Sequence, residues 1–294
     1  MRLEHCTLCP RRCGARREEN SGQGVCQMPA QPVLARAALH FYEEPCISGT
    51  RGSGAVFFSG CSLGCVFCQN DAISHKRYGK AVTVDRLCEI FKQLEEKGAH
   101  NINLVNPTHY AHVVLAALER YRPAVPIVYN TGGYERVETL RQLEGYVDVY
   151  LPDLKYMDPE RSKKYSGAAD YFEYAAPALE EMYRQCGQPQ LDENGILLRG
   201  MLVRHLILPQ GTNEAIRIAA WVKAHLPKAL FSLMSQYMPC GRAAMYKELD
   251  RRITRREYEK VLAAVRALEL DGYMQDLTSS DMRYLPDFDG TGVE

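Results

Sequence analysis

The run CSLGCVFCQN at residues 61–70 constrains this chain of 294 residues more than any other feature. It places Cys61, Cys65 and Cys68 directly behind the apolar stretch GAVFFSG. Because a chain reaches only about 3.3–3.6 Å per residue and two glycines let it fold back, all three thiols can face one metal cluster. Three thiolates fill three corners of a four-iron cubane, whereas an electron-transfer cluster normally has four cysteine ligands. The sequence therefore predicts a cluster with one iron open to an outside ligand.

The spacing Cys-x3-Cys-x2-Cys, with the aromatic Phe67 just before the last cysteine, resembles the signature of the radical S-adenosylmethionine (radical SAM) superfamily. The resemblance implies a 4Fe-4S cluster whose open iron chelates the amino and carboxylate groups of SAM. It also implies that Cys61, Cys65 and Cys68 are catalytic, because their reduced cluster cleaves SAM to methionine and a 5′-deoxyadenosyl radical. The alternative is a zinc or redox knuckle, but zinc prefers four ligands and no obvious fourth lies near this loop.

Composition places the chain among soluble proteins of a reducing compartment. Lys plus Arg equals Asp plus Glu, 36 each, so no excess positive charge favours a broad nucleic-acid surface. Eleven cysteines and the start MRLEHC, which lacks a basic segment and an apolar signal core, predict cytoplasmic thiols rather than secreted disulfides. No stretch approaches the roughly 18–20 apolar residues of a membrane helix. We therefore expect a soluble, cytoplasmic protein with no membrane partner.

Short apolar runs alternate with amphipathic segments, which predicts an α/β fold, a partial (β/α)6 barrel. Strands are predicted at residues 54–60, 101–105, 126–130, 147–151, 201–208 and 229–237. Helices are predicted after Thr83, at 135–144, 157–165, 177–187 and 213–225, and after Thr254, where Glu257 completes a capping-box pattern. Because the chemistry of such barrels sits at the C-terminal ends of the strands, candidate residues are sought there.

Changes in composition divide the chain into three predicted parts. Residues 1–50 are rich in cysteine, arginine and glycine, and we expect them to form a metal-binding N-terminal module. Residues 51–240 are predicted to form the radical SAM partial barrel. Residues 241–294 are predicted to be a C-terminal helical extension that packs on this barrel.

A second cysteine motif, Cys6-x2-Cys9-x3-Cys13, is completed by Cys26 in GQGVC. Four cysteines within 21 residues suit a closed site of four thiolates. Because a segment this poor in apolar residues needs a metal to order it, we expect a second metal centre here. The residues leave zinc and an auxiliary iron–sulfur cluster open, and the alternative is a floppy arm with unliganded thiols.

Polar residues follow the second and third predicted strands. Asn106 and Thr108 stand where many radical SAM proteins carry a Gly-Gly-Glu-type motif that binds the amino group of SAM, so they are candidates for cofactor binding. The alternative is a proline-fixed turn with Thr108 as a helix cap. Asn130 ends the third strand beside a glycine pair that permits close backbone approach to a ligand, and it is a further candidate.

The segment YLPDLKYMDPERSKKYSG resembles the Asp-Leu-Lys segment of pyruvate formate-lyase activating enzyme and related glycyl-radical-enzyme activases. Asp153 and Lys155 stand two apart on the fourth strand, so their side chains point to the same face. The resemblance implies that both contact the methionine end of SAM, and the alternative is a plain salt bridge. The segment SQYMPCGRA resembles the sixth-strand ending of the family, which implies that Gln236 lines the adenosine or substrate side.

The same resemblance implies an oxidoreductase that removes hydrogen from a protein partner, a glycyl radical enzyme or a protein like it. It also implies a flavodoxin- or ferredoxin-type reductant. The chain departs from activases upstream of the cluster, where it reads ISGTRGSGAVFF in place of an Asp-Gly-Pro-Gly-x-Arg run. The alternatives are a radical SAM enzyme that acts on a small molecule or peptide, and a non-catalytic iron–sulfur or zinc scaffold. A nucleic-acid partner is not favoured by the balanced charge.

Overall fold

A mixed sheet organises the chain in this computed structural model, which describes residues 3–277 and 286–294. Its strands are β1 (Val33–His40), β2 (Ser53–Phe58), β3 (Lys80–Ala81), β4 (Ile102–Val105), β5 (Ile127–Thr131), β6 (Val149–Pro152), β7 (Gln190–Leu191), β8 (Leu197–Leu206), β9 (Leu230–Met234) and β10 (Gly272–Met274). The order across the sheet is β10-β9-β8-β6-β5-β4-β2-β1-β3, and β7 pairs with β8 at one side.

The six predicted strands are found as β2, β4, β5, β6, β8 and β9, and each pairs in parallel with the next in that order. This arrangement confirms the predicted α/β partial barrel, because parallel strands joined by helical crossovers form such barrels. The sheet extends beyond the prediction at one edge, where the short strand β10 adds in parallel to β9. The strand β10 lies within residues 241–294, the C-terminal extension that was predicted to be helical.

Nine α-helices are found in the described ranges. They are α1 (Pro45–Ser48), α2 (Asp71–Ser74), α3 (Val84–Glu96), α4 (Ala111–Arg120), α5 (Val137–Arg141), α6 (Pro159–Ser166), α7 (Tyr171–Cys186), α8 (Thr212–His225) and α9 (Arg255–Ala267). The predicted capping box of α9 is confirmed, because Thr254 and Glu257 exchange hydrogen bonds. None of the helices in this described part is long and apolar enough to span a bilayer.

Two helices differ from the sequence prediction. α7 begins at Tyr171 rather than at residue 177, because Pro177 lies inside the helix instead of in its first turn. α4 was not predicted, since a short 3₁₀ turn at Thr108–Tyr110 follows β4 directly and leads into this helix. The turn buries Thr108 at the start of the crossover from β4 to β5.

The barrel interior is apolar at its lower end and polar at its upper end. Cys46 and Ile47 of the short helix α1 pack inside the barrel against Val128, Leu151 and Leu202 of three central strands. Above these packed residues of α1, the side chains that point into the barrel are polar, because charged and amide residues occupy the C-terminal ends of the strands. The main apolar core lies instead between the outer face of the sheet and the helices.

The strand β1 lies at the edge of the barrel, next to β2, and it also contacts the C-terminal residues 286–294. It runs antiparallel to β2 and lies inside the segment predicted as the N-terminal module. Residues 286–294 run along its other side, where the Ala37 amide donates to the Thr291 carbonyl at 2.8 Å and Arg36 pairs with Asp289 at 2.9 Å. The predicted boundaries at residues 50 and 240 remain predictions, and residues 278–285 of the predicted extension lie outside the described residues.

His205 on β8 predicts that the protein loses stability in mild acid. Its imidazole is buried and its Nδ1 lies 2.7 Å from the Leu154 carbonyl, and burial lowers its pKa from 6.5 to about 4. Between these two pH values the unfolded chain binds a proton that the native chain does not, so the free energy of unfolding falls as the pH falls. The shift corresponds to a loss of up to about 3 kcal/mol between pH 6.5 and pH 4.

This loss is measurable by urea unfolding of the cluster-free protein at pH 7 and at pH 5. We expect His205→Gln to reduce the pH dependence without abolishing it, because burial also lowers the pKa of His109 and of His112. Equal slopes in the wild type and in His205→Gln would assign the acid sensitivity to other groups.

Candidate active site

A cavity of about 270 Å³ opens at the C-terminal ends of the parallel strands. Active sites of parallel barrels lie at this end. Eight residues predicted from the sequence as site residues line the cavity: Cys61, Cys65, Cys68, Asn106, Asn130, Asp153, Lys155 and Gln236. Thr108 does not line it, and the four N-terminal cysteines are also outside it.

The loop after β2 bends sharply enough to present three thiols to the cavity. Gly60 and Gly64 adopt positive φ angles of 83° and 67°, which side chains other than glycine rarely adopt. The backbone closes a turn between the last two cysteines, because the Cys68 amide donates to the Cys65 carbonyl at 3.2 Å. Cys65 is buried, and Cys61 and Cys68 are partly exposed on the cavity side.

Each of the three thiols has a polar partner from another element or turn. The Asn106 Nδ2 lies 3.8 Å from the Cys61 sulfur. The hydroxyl of Ser166 at the end of α6 donates to Cys65 at 3.0 Å. Hydrogen bonds to cluster sulfurs are one of the ways in which a protein sets the reduction potential.

The third thiol is held in the same way. The Ser74 hydroxyl of α2 donates to the Cys68 sulfur at 3.2 Å. Burial, helped by the neighbouring Cys65, raises the pKa of Cys68 to about 12, so this thiol keeps its proton at pH 7 and releases it to solvent only when a metal binds the sulfur. Three thiols with at least one donor each, beside a cavity, fit the three protein ligands of a 4Fe-4S cluster with an open iron. The sequence did not indicate Ser74 or Ser166.

A network of four charged side chains crosses the cavity opposite the cysteine loop. Arg204 of β8 is its centre: its Nε donates to Asp153 Oδ1 at 2.8 Å and its Nη1 to Glu43 Oε2 at 3.0 Å. Its Nη2 donates to the Asn130 side-chain oxygen at 2.8 Å. Lys155 Nζ donates to Asp153 Oδ2 at 2.6 Å. Arg204 and Glu43 were not predicted from the sequence. An arginine within the apolar run MLVRHLIL could have indicated a charged side chain that points into the barrel.

Both members of the predicted Asp-Leu-Lys pair stay charged in this network. Burial acts to raise the pKa of Asp153, but Arg204 and Lys155 together outweigh it and hold the pKa below its usual value. Burial acts to lower the pKa of Lys155, but Asp153 and Cys65 outweigh it and the pKa is raised. A carboxylate and an ammonium group therefore stand side by side near the cysteine loop, able to contact the opposite charges of an amino acid.

The predicted amide and hydroxyl residues take three different positions. Asn130 is in the charged network, because its Nδ2 donates to Glu43 Oε1 at 3.0 Å. Asn106 faces the cavity, and Thr108 lies beneath it and donates to its side-chain oxygen at 2.7 Å. Thr108 therefore orients Asn106 rather than contacting a ligand in the cavity. Gln236 lines the cavity just past the end of β9.

Asp153→Ala and Lys155→Ala are each expected to weaken SAM binding about 10- to 100-fold, because each removes a charge-assisted hydrogen bond worth about 1.5–3 kcal/mol. The cluster should still assemble, since neither residue belongs to the cysteine loop. Equilibrium binding of SAM and the iron content of the reconstituted protein check these two expectations. The exposed Lys163→Ala on α6 is the matched control, and wild-type affinity in both cavity variants would leave Asp153 and Lys155 as a structural salt bridge.

The four N-terminal cysteines lie close to one another, outside the cavity. Burial raises the pKa of Cys9 to about 12, and the nearby Cys26 and Cys6 raise it further. Burial, Cys6 and Cys13 likewise raise the pKa of Cys26. Across the described ranges, no three His, Cys, Asp or Glu side chains are already gathered around a single-ion position. Whether these cysteines bind a metal therefore stays a prediction.

The fold and the cavity agree with a match to a protein family. A parallel partial barrel with three cysteines in the loop after its first parallel strand suits an enzyme that binds SAM at a 4Fe-4S cluster. The family model of the radical SAM superfamily matches residues 55–188, a range that holds the cysteine loop and the Asp-Leu-Lys segment. The match covers a little less than half of the chain and indicates a radical SAM domain, for which a 4Fe-4S cluster and SAM are the cofactors.

The chain is similar to two other known proteins. An uncharacterized protein of Methanocaldococcus jannaschii, MJ0674, is 29% identical over 282 residues, which cover 92% of this chain and 76% of that protein. Streptococcus suis SuiB, solved with its precursor peptide SuiA, has a similar fold with a TM-score of 0.52 and 15% identity. That match covers 74% of this chain and 47% of SuiB, so the chain spans about half the length of that structure. The likeness to SuiB concerns the fold alone.

Proposed function

We propose that this radical SAM enzyme removes a hydrogen atom from a polypeptide partner, in the manner of a glycyl-radical-enzyme activase. The observation that carries the proposal is the charge balance of the cavity. Its described lining holds two acidic side chains, Glu43 and Asp153, and two basic ones, Lys155 and Arg204. The lining therefore has no surplus charge to hold a small ionic substrate beside SAM, whereas a polypeptide segment needs none.

The chain's own residues divide the work of binding. Cys61, Cys65 and Cys68 hold the cluster, and Asn106 faces the same side of the cavity. Lys155 and Asp153 contact the carboxylate and amino group of SAM, and Arg204 keeps Asp153 in position. When bound, the cluster and SAM supply one electron and an organic radical that can remove hydrogen from carbon. A small flavodoxin- or ferredoxin-type protein is the proposed source of that electron.

An aromatic part of the cavity lining supports a polypeptide substrate. His40 at the end of β1 packs edge-on against Tyr42 and Phe57, with ring centroids 5.8 Å and 6.1 Å apart, and all three residues line the cavity. The buried Phe57 in turn packs edge-on against Phe288 at 5.4 Å. Burial lowers the pKa of His40, so the ring is neutral at pH 7. A neutral aromatic lining suits the backbone and side chains of an inserted loop.

The setting of the thiols agrees with a cytoplasmic enzyme. All eleven cysteines fall within the described residues and are free of disulfides. Free thiols persist in reducing compartments. We therefore propose that the protein works in the cytoplasm, where a reductant of this kind is available.

The test is anaerobic incubation of the reduced, reconstituted enzyme and SAM with candidate glycyl radical enzymes from the same organism. We expect a glycine-centred doublet in the electron paramagnetic resonance spectrum and one 5′-deoxyadenosine per radical formed. The matched control is the variant with Cys61, Cys65 and Cys68 replaced by alanine, which should give no signal. The absence of a doublet with any candidate, together with stoichiometric 5′-deoxyadenosine formation on a small molecule, would overturn the proposal in favour of a metabolite substrate.

A further inference from the structure

The N-terminal cysteine segment is built as a pair of tight turns that bring its thiols together. The Cys6 amide donates to the Ala15 carbonyl at 2.9 Å, and the Gly14 amide donates to the Cys6 carbonyl at 3.1 Å. These two bonds hold Cys6 beside the end of the motif that contains Cys13. Gly24 lies so close that a Cβ there would stand 3.0 Å from the Cys13 sulfur. The second turn thus brings the segment just before Cys26 against Cys13.

These contacts bring the four cysteines near one another, and none of them has a disulfide partner. The described part of the segment has few apolar side chains of its own, and Leu8, Pro10 and Met28 join Cys6 and Cys9 as its buried apolar residues. A segment of this composition gains most of its order from ligation, because metal binding supplies folding free energy. Zinc and an iron–sulfur cluster share this ligand chemistry.

Arg11, which lies between Cys9 and Cys13, reaches from this segment to the cysteine loop of the active site. Its Nε donates to the Ser62 carbonyl at 2.8 Å, and its Nη2 donates to the Leu63 carbonyl at 3.3 Å. The same guanidinium donates to the carbonyls of Ser166, at 2.8 Å, and of Gly167. A guanidinium has five N–H donors in a rigid fork, so one side chain can fix two backbone segments at once.

The two segments that Arg11 joins are those that position the cluster ligands. Ser62 and Leu63 lie between Cys61 and Cys65 in the active-site loop. Ser166 carries the hydroxyl that donates to the Cys65 sulfur. The guanidinium also stacks over the Tyr134 ring at 5.4 Å, which holds it in place from behind.

A second contact joins the same two parts of the chain. Met28, two residues after Cys26, packs on Gly60 at the start of the active-site loop, where a Cβ would stand 2.2 Å from its Cγ. The Arg17 guanidinium donates to the Met28 carbonyl at 3.1 Å and to the carbonyl of His109. His109 Nε2 in turn lies 2.7 Å from the Ser59 carbonyl, directly before Gly60. Both turns of the cysteine segment therefore rest on the loop that holds the active-site cluster.

We propose that Cys6, Cys9, Cys13 and Cys26 bind a second metal centre, and that its ligation fixes the active-site cysteine loop through Arg11. Arg11 is a positioning residue, since it contacts the loop backbone and not the reacting atoms. Metal loss from the segment releases Arg11 and loosens residues 60–68. Metal binding at the four cysteines does not depend on the proposed hydrogen abstraction. The role of Arg11 in positioning a catalytic loop rests on that proposed function.

The first experiment isolates the second centre in the variant with Cys61, Cys65 and Cys68 replaced by alanine. The protein is loaded with zinc alone in one arm and with iron and sulfide under anaerobic conditions in the other. We expect one arm to give about one zinc or about four irons per chain, with only sulfur neighbours around the metal in its X-ray absorption spectrum. Adding Cys9→Ser and Cys26→Ser should remove this metal. Binding of neither metal would overturn the proposed centre.

The second experiment measures hydrogen–deuterium exchange of residues 60–68 in the same background, with the segment loaded and metal-free. We expect loading to slow exchange about tenfold or more, because the loop becomes fixed at both turns. Arg11→Met should abolish the slowing and Arg11→Lys should keep part of it. Arg12→Met, an exposed arginine in the same motif, is the matched control and should keep all of it.

Equal exchange in the loaded and metal-free protein would overturn the coupling while leaving the metal centre in place. If metal loading still slowed the exchange of residues 60–68 in Arg11→Met, the coupling would run through other residues, and this result would also contradict the proposal. Neither measurement requires SAM cleavage, so both outcomes are distinct from a failure of the proposed hydrogen abstraction. Circular dichroism of each variant shows whether the barrel itself is intact.

Discussion

Replacing Cys61, Cys65 and Cys68 together by alanine is expected to abolish reductive cleavage of SAM. The three thiols face the cavity from the loop after β2 and are its proposed cluster ligands, and without them the described cavity lining offers no other cysteine. The variant should also lose the broad visible absorption of the active-site cluster after anaerobic reconstitution. Chromatographic measurement of methionine and 5′-deoxyadenosine gives the direct readout.

The control for this triple replacement is Cys88→Ala. Cys88 is buried on α3, where its thiol donates to the Ala117 carbonyl at 3.5 Å, far from the cavity lining. This variant should lose some stability, because a buried side chain is shortened, yet keep its cluster and its SAM cleavage. Continued cleavage by the triple variant would show that the catalytic cluster has other ligands.

Arg204→Met is expected to lower the free energy of unfolding by about 3–5 kcal/mol, because it leaves the buried Glu43 carboxylate without its cation and leaves Asp153 with Lys155 alone. Arg204 pairs with Glu43 and Asp153, and all three side chains are at least 84% buried, with exposed fractions of 14%, 11% and 16%. The same change should also loosen Asp153 and weaken SAM binding. Urea unfolding of the cluster-free protein at pH 7 measures the loss of stability.

Two further variants separate the charge effect from a loss of packing. Arg199→Met shortens an arginine on the same strand that donates to the Gln185 carbonyl instead, and it should cost much less. Combining Arg204→Met with Glu43→Gln should recover part of the lost stability, since Glu43 is then uncharged and Asp153 keeps Lys155 as its partner. If this double variant were no more stable than Arg204→Met alone, charge pairing would not be the cause.

The sequence predicted the parallel strands well because each is a short apolar run between polar turns. The run GAVFFSG, for example, corresponds to β2, and the cysteine loop follows it as expected. The strand β1 was missed because VLARAALH contains three small alanines and an arginine among its eight residues, and follows a cysteine-rich segment. Its place in the sheet depends on its pairing with β2, and this contact between two separate segments cannot be seen in the pattern of β1 alone.

The candidate site was predicted where local spacing carries the information. The three cysteines, Asp153 and Lys155 are close in sequence and appear together in the cavity. Glu43 and Arg204 are 161 residues apart, and their pairing at 3.0 Å exists only after the barrel closes. Thr108 was predicted to contact the cofactor but supports Asn106 from below, since the 3₁₀ turn after β4 buries its hydroxyl.

The pairing of residues 286–294 with β1 also fixes a time order in the cell. Pro286 lines the cavity and Thr291 accepts a hydrogen bond from Ala37, so a nascent chain lacks this part of the cavity lining until translation passes residue 291. At about 5–20 residues per second, β1 waits on the ribosome for roughly 10–50 s before this partner emerges. The cysteine loop is made early, and its cavity stays incomplete during that interval. Cluster delivery after release from the ribosome would spare the metal this exposed period.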